Sequence, residues 1–520
     1  MLWHPQTTAT LDRRLGSLDT VRQREPEIAW RLLTALLPRF QDVAHPTHAP
    51  RRREWKPEEE SGVTHAEWDR AIREIVRRLL ADVGVAGRRW ADLIEGVNAL
   101  PGDMQDAVIE RLLAADPAAF NESDHADLRE KLRAVVSHHR RFPDAGWAMP
   151  PARVDRLAEV YRRFEPDDPI RRIVWLFSNH PALPDIDSLD PLDYRRAIDE
   201  ARDRAARATY EDGGSQALLD LAVSVEQPGE LGWVIGRGSL LGPEEGDIFA
   251  DLASPRAARR LFARGYVGGR FKAAGWAWAE TILQGEASAW MAAQRADFLV
   301  GLPSSHRTWD WTEQFDDETE RAYWVAFGVF GLEEQDGYAR AAAKLVEHRR
   351  PYAAVDLLGL YANQAATAEP DLVARALESA ARTPVDGATM NGLAHDVAEI
   401  LDRLEGSGAI DDARMAWLEW AYLPLLRHGR RPALFLHRAL AQDPTFFAEV
   451  VSWVYRAHDE EQRESTEEES TRAILGGSSS SRVIRSRVRA STTRSRRASI
   501  WRRRSSTLML RARSTSPSRE

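Results

Sequence analysis

Apolar residues recur every three or four positions along most of this chain, and this spacing constrains its fold more than any other feature. From Ala29 to Phe40 they fall at helical intervals, and a second set does the same from Trp68 onward. Further segments with this pattern are Leu128–Val135, Val154–Phe164, Val397–Leu404 and Met415–Leu425. One apolar stripe per segment predicts amphipathic helices, each burying its stripe against a neighbour.

Strand signals are almost absent. Leu221–Val225 and Trp233–Ile235 are the β-branched stretches of note, and each is too short to seed a sheet. Many prolines fall where helices would begin, because proline is tolerated in the first helical turn and not in the interior. The pattern predicts an all-α fold, an α-solenoid of irregular helical hairpins similar to HEAT or TPR superhelices.

Two segments of the chain are similar in sequence. Leu113–Phe120 and Leu440–Phe447 share the pattern Leu-Ala-x-Asp-Pro-x-x-Phe. The aspartate can cap a helix that begins at the proline, so we expect one helix to end and the next to begin in each segment. No strict period joins the two, which predicts diverged repeats.

Breaks rich in proline and charge occur at 44–60, 142–151 and 164–193. They suggest an N-terminal helical region at 1–150 and a helical-repeat region at 151–460. Residues 461–520 have no apolar period and are predicted to form a disordered Arg/Ser-rich tail.

The charge of this tail is exceptional. Residues 471–520 hold 14 arginines, no lysine, 13 serines and one acid, a charge of +13, whereas the other 470 residues carry −22. Such an arm is typical of nucleic-acid binding, because guanidinium groups neutralise phosphates. However, the chain has 67 arginines and four lysines, as GC-rich coding DNA produces, and a shifted reading frame in such DNA also yields Arg and Ser. We favour a frameshift product; a genuine basic arm is the alternative.

The composition excludes several classes of protein. With no cysteine, the chain has no disulfide, thiolate zinc site or cysteine nucleophile. The N-terminus lacks the basic start and apolar run of a secretory signal, and no window approaches the roughly 18 consecutive apolar residues of a membrane helix. We therefore expect a cytoplasmic protein without membrane association.

Motifs for phosphate and acid–base chemistry are weak. Gly236–Gly242 and Gly265–Arg270 lack the lysine and spacing of phosphate-binding loops, so we expect glycine-rich turns between helices. Acid pairs such as Asp167-Asp168 and Asp316-Asp317 are expected to cap helices or to lie on solvated faces. The chain contains no Gly-x-Ser-x-Gly elbow.

Histidines offer three candidate sites. His45 and His48 are separated by a proline that prevents a helical arrangement, which favours loop histidines over metal ligands. His138-His139 end a basic helix, and we expect both on a solvated face where imidazolium complements the helix dipole. His395-Asp396 matches a dipeptide of metal phosphohydrolases, but the separate ligands of such sites are not identifiable. We assign no catalytic, cofactor-binding or metal-ligating residue and expect no cofactor.

Tryptophans concentrate in the second half of the chain. Those singled out are Trp276, Trp278, Trp290, Trp309, Trp311, Trp324, Trp417 and Trp420. Trp417 and Trp420 share a helix with Met415 and Leu418, which predicts packing between helices. We expect most of these tryptophans in the core and an exposed minority that could contact a partner.

Several short sequence motifs resemble those in the helical-repeat region of very large bacterial proteins of unassigned function. They are Leu302-Pro303 with Thr308-Trp309, Tyr323-Trp324, Arg350-Pro351, Leu418–Leu426, Asp443–Phe447 and Val454-Tyr455. The resemblance covers much of 1–460. It implies that some relatives carry an N-terminal nucleotide-binding or effector module and lie near antiviral defence genes. Such a module is not evident here, so we expect a fragment of a longer reading frame.

These observations predict a non-catalytic protein-interaction scaffold or sensor region that binds a protein or peptide. One alternative is a hydrolase with a site formed between distant helices, which would show a pocket with convergent acids or histidines of shifted pKa. The other is a nucleic-acid-binding protein that uses residues 471–520 and, with them, a basic groove bearing aromatic residues on the folded body.

Overall fold

A computed structural model of the protein describes residues 9–39, 63–186, 190–241, 245–332, 337–360, 368–384, 387–426 and 431–454, together with Leu2 and Thr7. Within these ranges the chain is helical and contains no strand; one isolated β-bridge joins Ser304 and Leu332. The predicted all-α class is confirmed. Of the two β-branched stretches, Trp233–Ile235 lie within a helix and Leu221–Val225 end one, with Val225 just after its last residue; the predicted tail at 461–520 is outside the described residues.

The chain forms two compact units, Met1–Asp247 with Arg256–Ala273, and Ile248–Pro255 with Ala274–Glu520. The helices of the first unit are α1 (Leu11–Arg24), α2 (Pro26–Ala35), α3 (His65–Asp82), α4 (Gly87–Gly96), α5 (Gly102–Leu113), α6 (Glu122–Arg141), α7 (Pro151–Arg163), α8 (Pro169–Ile173), α9 (Pro191–Ser224) and α10 (Pro228–Gly238). The boundary between the units falls within the segments α11 (Glu245–Ala250) and α12 (Ala257–Gln284), and in α12 it lies beside Gly275, whose backbone is not helical.

The helices of the second unit are α13 (Ala292–Gly301), α14 (His306–Phe315), α15 (Asp317–Ala326), α16 (Tyr338–Glu347), α17 (Pro351–Leu360), α18 (Pro370–Arg382), α19 (Gly387–Ser407), α20 (Asp412–Ala421), α21 (Leu423–Leu426), α22 (Leu434–Gln442) and α23 (Pro444–Val454). Short 3₁₀ turns occupy Val97–Ala99, Pro117–Ala119, Val174–Phe177, Asp251–Ala253 and Glu286–Ala289. No helix in the described ranges combines the length and the apolar character needed to cross a bilayer.

Proline marks helix starts as predicted, with one difference. Pro351, Pro370 and Pro444 are the first residues of α17, α18 and α23. Asp443 Oδ1 accepts the Thr445 amide at 2.8 Å, and Asp116 Oδ1 accepts the Ala118 amide at 3.1 Å. Pro117, however, begins only a 3₁₀ turn, because α6 starts later, at the Asn121 cap.

The first unit has a continuous apolar core built by α1 to α7. Ile75, Leu79, Leu93, Leu128 and Leu132 are fully buried there, each on the apolar stripe of its helix. α6 packs against both α4 and α7. The predicted boundary at residue 150 therefore lies inside this unit, between two helices that are in contact.

The glycine-rich segments agree only in part with the predicted turns: α10 ends at Gly238 and Ser239 follows in a left-handed turn (φ 51°), but Gly265–Arg270 lie within α12. Gly232 and Gly236 lie within α10, and Gly265 and Gly269 lie within α12. A Cβ at Gly236 would overlap the Tyr266 carbonyl oxygen, and one at the other three would overlap backbone atoms of the facing helix. Glycine is required because the backbones of α10 and α12 touch, as at small-residue helix interfaces generally.

Aromatic residues fill the core of the second unit around α14 and α15. Trp309 and Trp324 are fully buried, and the Trp309 indole N–H donates to the Tyr323 hydroxyl at 3.1 Å. Arg350 donates to the Trp324 and Phe327 carbonyl oxygens at 2.7 and 2.6 Å. The predicted core placement is thus confirmed for these two tryptophans. The other six are half-buried, and in α20 Met415 and Leu418 occupy the core instead.

A buried ion pair in the second unit joins α20 to the segment just before α22. The Arg431 side chain is 3% exposed and donates to Glu419 Oε1 at 2.6 Å, and Glu419 is fully buried. The second Glu419 oxygen accepts the Leu436 amide at 2.7 Å. Arg431 also contacts the more exposed Asp402 and Glu405. Burial alone would lower the pKa of Arg431, but its bonds to these acids raise it above the ordinary value.

Candidate functional site

A cleft of about 720 Å³ lies within the first unit, between the end of α2, the end of α4 and one side of α6. Its polar lining residues are Thr34, Arg39, Asp92, Glu95, Asn98, Lys131, His138 and His139. The α6 residues of the wall follow the 3.6-residue period of the helix, which places Lys131, Val135 and His138 on one side. The cleft thus combines acids, bases and an amide in a volume typical of ligand pockets.

The two carboxylates of the cleft are already engaged. Asp92 Oδ2 accepts the Trp30 indole N–H at 2.8 Å, and the Arg89 guanidinium lies over the Trp30 ring, 5.0 Å from its centroid. Glu95 Oε2 pairs with Lys131 Nζ at 3.1 Å. This second pair is exposed, so a ligand can exchange with either partner at low cost.

The histidines of the cleft differ from the prediction. His138 is exposed and stacks on Trp147, with 4.5 Å between ring centroids. His139 is 4% exposed, and its Nδ1 accepts the Met149 amide at 3.1 Å. The expectation of a solvated imidazolium is therefore wrong for His139. Burial, with the neighbouring His138, lowers its pKa from 6.5 to about 4. The imidazole is neutral at pH 7 and carries its proton on Nε2.

We expect His139 to make folding stability depend on pH. Below pH 6.5 the imidazole takes up a proton in the unfolded chain, but in the folded protein it does so only near pH 4. The free energy of unfolding should therefore fall as pH decreases through this window, by at most about 3 kcal/mol in total, and this contribution is fully present above the window. Urea unfolding at several pH values measures it.

The matched variants for this prediction are His139→Gln and His138→Gln. The first should lose this part of the pH dependence, and the second should keep most of it, because it leaves the His139–Met149 bond in place. Identical pH profiles for the native protein and His139→Gln would contradict the assignment.

The remaining histidine candidates gain no support as metal ligands. His45, His48 and the side chain of His395 are outside the described residues. Among the residues whose positions are given, no three His, Asp or Glu side chains converge as metal ligands would.

A carboxylate pair in the second unit is relevant to the hydrolase alternative. Asp396 of α19 packs over Gly359 of α17, where a Cβ would lie 2.7 Å from the Asp396 Cγ. Burial, with the charge of Asp396, raises the pKa of the half-buried Asp356 above its ordinary value. Sequence reasoning noticed Asp396 but missed Asp356, because no spacing rule links residues forty positions apart.

The acid pairs noted in the sequence cap helices, as predicted. Asp168 Oδ1 accepts the Ile170 amide at 2.9 Å at the start of α8. Asp316 Oδ1 accepts the Thr319 amide at 2.7 Å at the start of α15, and its other oxygen pairs with Arg295 at 2.6 Å. Backbone bonding at Thr319 lowers the pKa of Asp316, so this acid serves the helix terminus.

Compared with protein-family models, curated proteins and solved structures, the chain matches none of them. The resemblance to helical-repeat regions of large bacterial proteins accordingly stays a prediction.

Proposed function

We propose that this protein is a non-catalytic scaffold or sensor that binds a protein or peptide partner on stacked helical hairpins. The observation that carries the proposal is the order of packing in the second unit. There α16 packs on α17 and α18, α17 on α18 and α19, and α20 on α22. Contact with the next helix and the next but one is typical of HEAT- and TPR-like solenoids, which expose extended binding surfaces.

Packing in the first unit supports the same proposal. α1, α2 and α3 contact one another in sequence, α4 packs on α6, and α5 and α6 both pack on α7. Each helix buries one stripe against near neighbours, so the opposite sides stay available to a partner. The resemblance to helical-repeat regions of large bacterial proteins motivates the proposal further, including a place within a longer protein.

The cleft of the first unit is the proposed contact site for a peptide. Its walls offer the Glu95 carboxylate, the Lys131 ammonium and the Asn98 amide, which match the charges and hydrogen bonds of a polar peptide segment. The exposed Glu95–Lys131 pair gives the site charge complementarity to a dipolar segment.

Peptide display on the intact protein tests this function. Enriched peptides should bind the native protein, and Glu95→Arg should weaken their Kd by about ten-fold or more, because it reverses one charge of the site. The control Glu159→Arg makes the same change on the exposed side of α7 and should alter the Kd by less than about two-fold. Isothermal titration calorimetry gives the constants.

Two results would count against the scaffold function. One is a display experiment that enriches no peptide, or peptides that bind both variants equally. The other is hydrolysis of chromogenic esters or phosphate esters that disappears in Asp356→Asn, which would favour the hydrolase alternative.

A further inference from the structure

Three arginines of α6 each lie over an aromatic ring. The Cζ atoms of Arg129, Arg133 and Arg141 are 4.5, 4.3 and 4.6 Å from the ring centroids of Tyr161, Trp175 and Tyr194, respectively. Arg129 and Arg133 are one helical turn apart, so their guanidinium groups lie on the same side of α6. This side is distinct from the cleft, since Lys131 is rotated by about 200° from both arginines.

The aromatic rings under these arginines are held in place. The Trp175 indole N–H donates to the Arg172 carbonyl oxygen at 2.7 Å. The Tyr194 hydroxyl donates to the Pro181 carbonyl oxygen at 3.0 Å and accepts the Leu183 amide at 3.0 Å. Tyr161 is buried on α7. The rings therefore fix the guanidinium groups before any ligand binds, which lowers the entropy cost of binding.

Nearby acids balance the positive charge of this group only in part. Arg129 has one carboxylate neighbour, Glu165, at 3.7 Å, which is longer than a hydrogen bond. Among the residues that the structure describes, neither Arg133 nor Arg141 has a carboxylate oxygen within 4.0 Å. By contrast, the adjacent Arg140 pairs with Asp155 at 2.9 Å and with Asp185 at 3.2 Å.

Because these guanidinium groups are buried, their unbalanced charge carries a free-energy cost of desolvation. The Arg129 side chain is 8% exposed, and the Nε atoms of Arg129, Arg133 and Arg141 are buried without a hydrogen-bond acceptor. Burial lowers the pKa of Arg133, and it outweighs the opposing effects of Tyr161 and Glu130; the neighbouring Arg129 acts in the same direction as burial. Because arginine keeps its proton in proteins, the charge persists, and stacking on aromatic rings offsets only part of the desolvation. An anion bound at the terminal guanidinium nitrogens would balance this charge.

We propose that Arg129 and Arg133, stacked on Tyr161 and Trp175, form a binding site for a phosphate group. A phosphate is favoured over a carboxylate because its tetrahedral oxygens and double charge can engage two guanidinium groups on successive helical turns. The phosphate can belong to a small phosphate ester or to the backbone of a nucleic acid.

Calorimetric titration of the full chain with pyrophosphate, and separately with single-stranded oligothymidine, tests the site. Arg133→Gln should weaken pyrophosphate binding by about ten-fold or more. Arg111→Gln removes the same charge from an exposed position of α5 and should change the Kd by less than about two-fold. Arginines of residues 471–520 can bind the same probes in all variants, so the isotherms are fitted with a separate class of sites for them, and the Kd of the remaining class is compared.

A second variant keeps the test decisive where Arg133→Gln unfolds the protein. Arg133→Lys retains the charge but loses the planar fork, and should weaken binding by about three-fold. Oligothymidine binding that also depends on Arg133 would identify a nucleic-acid phosphate, whereas dependence for pyrophosphate alone would identify a small ester. Absence of pyrophosphate binding, or equal loss in Arg133→Gln and Arg111→Gln, would overturn the proposal.

Discussion

Glu419→Ala should destabilise the second unit by about 3–5 kcal/mol, because it breaks a buried ion pair from one side. The carboxylate of Glu419 is a fully buried partner of Arg431, and its second oxygen accepts the Leu436 amide. Removing it leaves a buried guanidinium with only its exposed partners, and a buried N–H without an acceptor. The midpoint of urea unfolding measures the change.

The control for this prediction is Glu405→Ala. Glu405 binds the same arginine at 2.7 Å, but its side chain is 39% exposed, so water can replace it. We expect a loss of about 1 kcal/mol or less. Equal losses for the two variants would show that burial of Glu419 is not what makes the pair important.

Gly236→Ala should lower the free energy of unfolding by about 1–3 kcal/mol or more, since the new methyl group meets backbone and not a movable side chain. Its Cβ would overlap the Tyr266 carbonyl oxygen and lie 2.8 Å from the Arg270 amide nitrogen. Only separation of α10 from α12 can relieve this overlap. Thermal and urea unfolding followed by circular dichroism report the loss.

Gly16→Ala makes the same change without the overlap. Gly16 lies in α1, and a Cβ there would have no atom within 4 Å. Alanine has the higher helix propensity, so we expect this variant to gain about 0.5–1 kcal/mol. A gain at both positions would refute close packing of α10 on α12.

The helical class could be predicted from sequence because each helix carries its own signal. The spacing of Ile72, Ile75 and Leu79 already identifies the buried stripe of α3. Pairings between helices carry no comparable signal. Gly236 and Gly265 therefore indicated turns, since glycine favours turns locally, and only the facing backbone of the other helix explains why glycine is needed inside both.

Less of the candidate site than of the fold could be predicted from the sequence. His139 follows His138 directly, and both ended a basic helix, so the sequence favoured one environment for both. A 100° rotation per residue turns one ring outward onto Trp147 and the other inward to the Met149 amide. Likewise, the sequence gives no signal for the stacking of Arg129, Arg133 and Arg141, because their aromatic partners come from α7 and from segments farther along the chain.

The local order of packing also bears on how the chain folds. Most extensive helix contacts within each unit join helices one or two steps apart, so the loops that must close are short and the relative contact order is low. Such topologies nucleate locally and fold rapidly. Among the residues that the structure describes, helices with few packed neighbours should then exchange their amide hydrogens before helices that pack on several others.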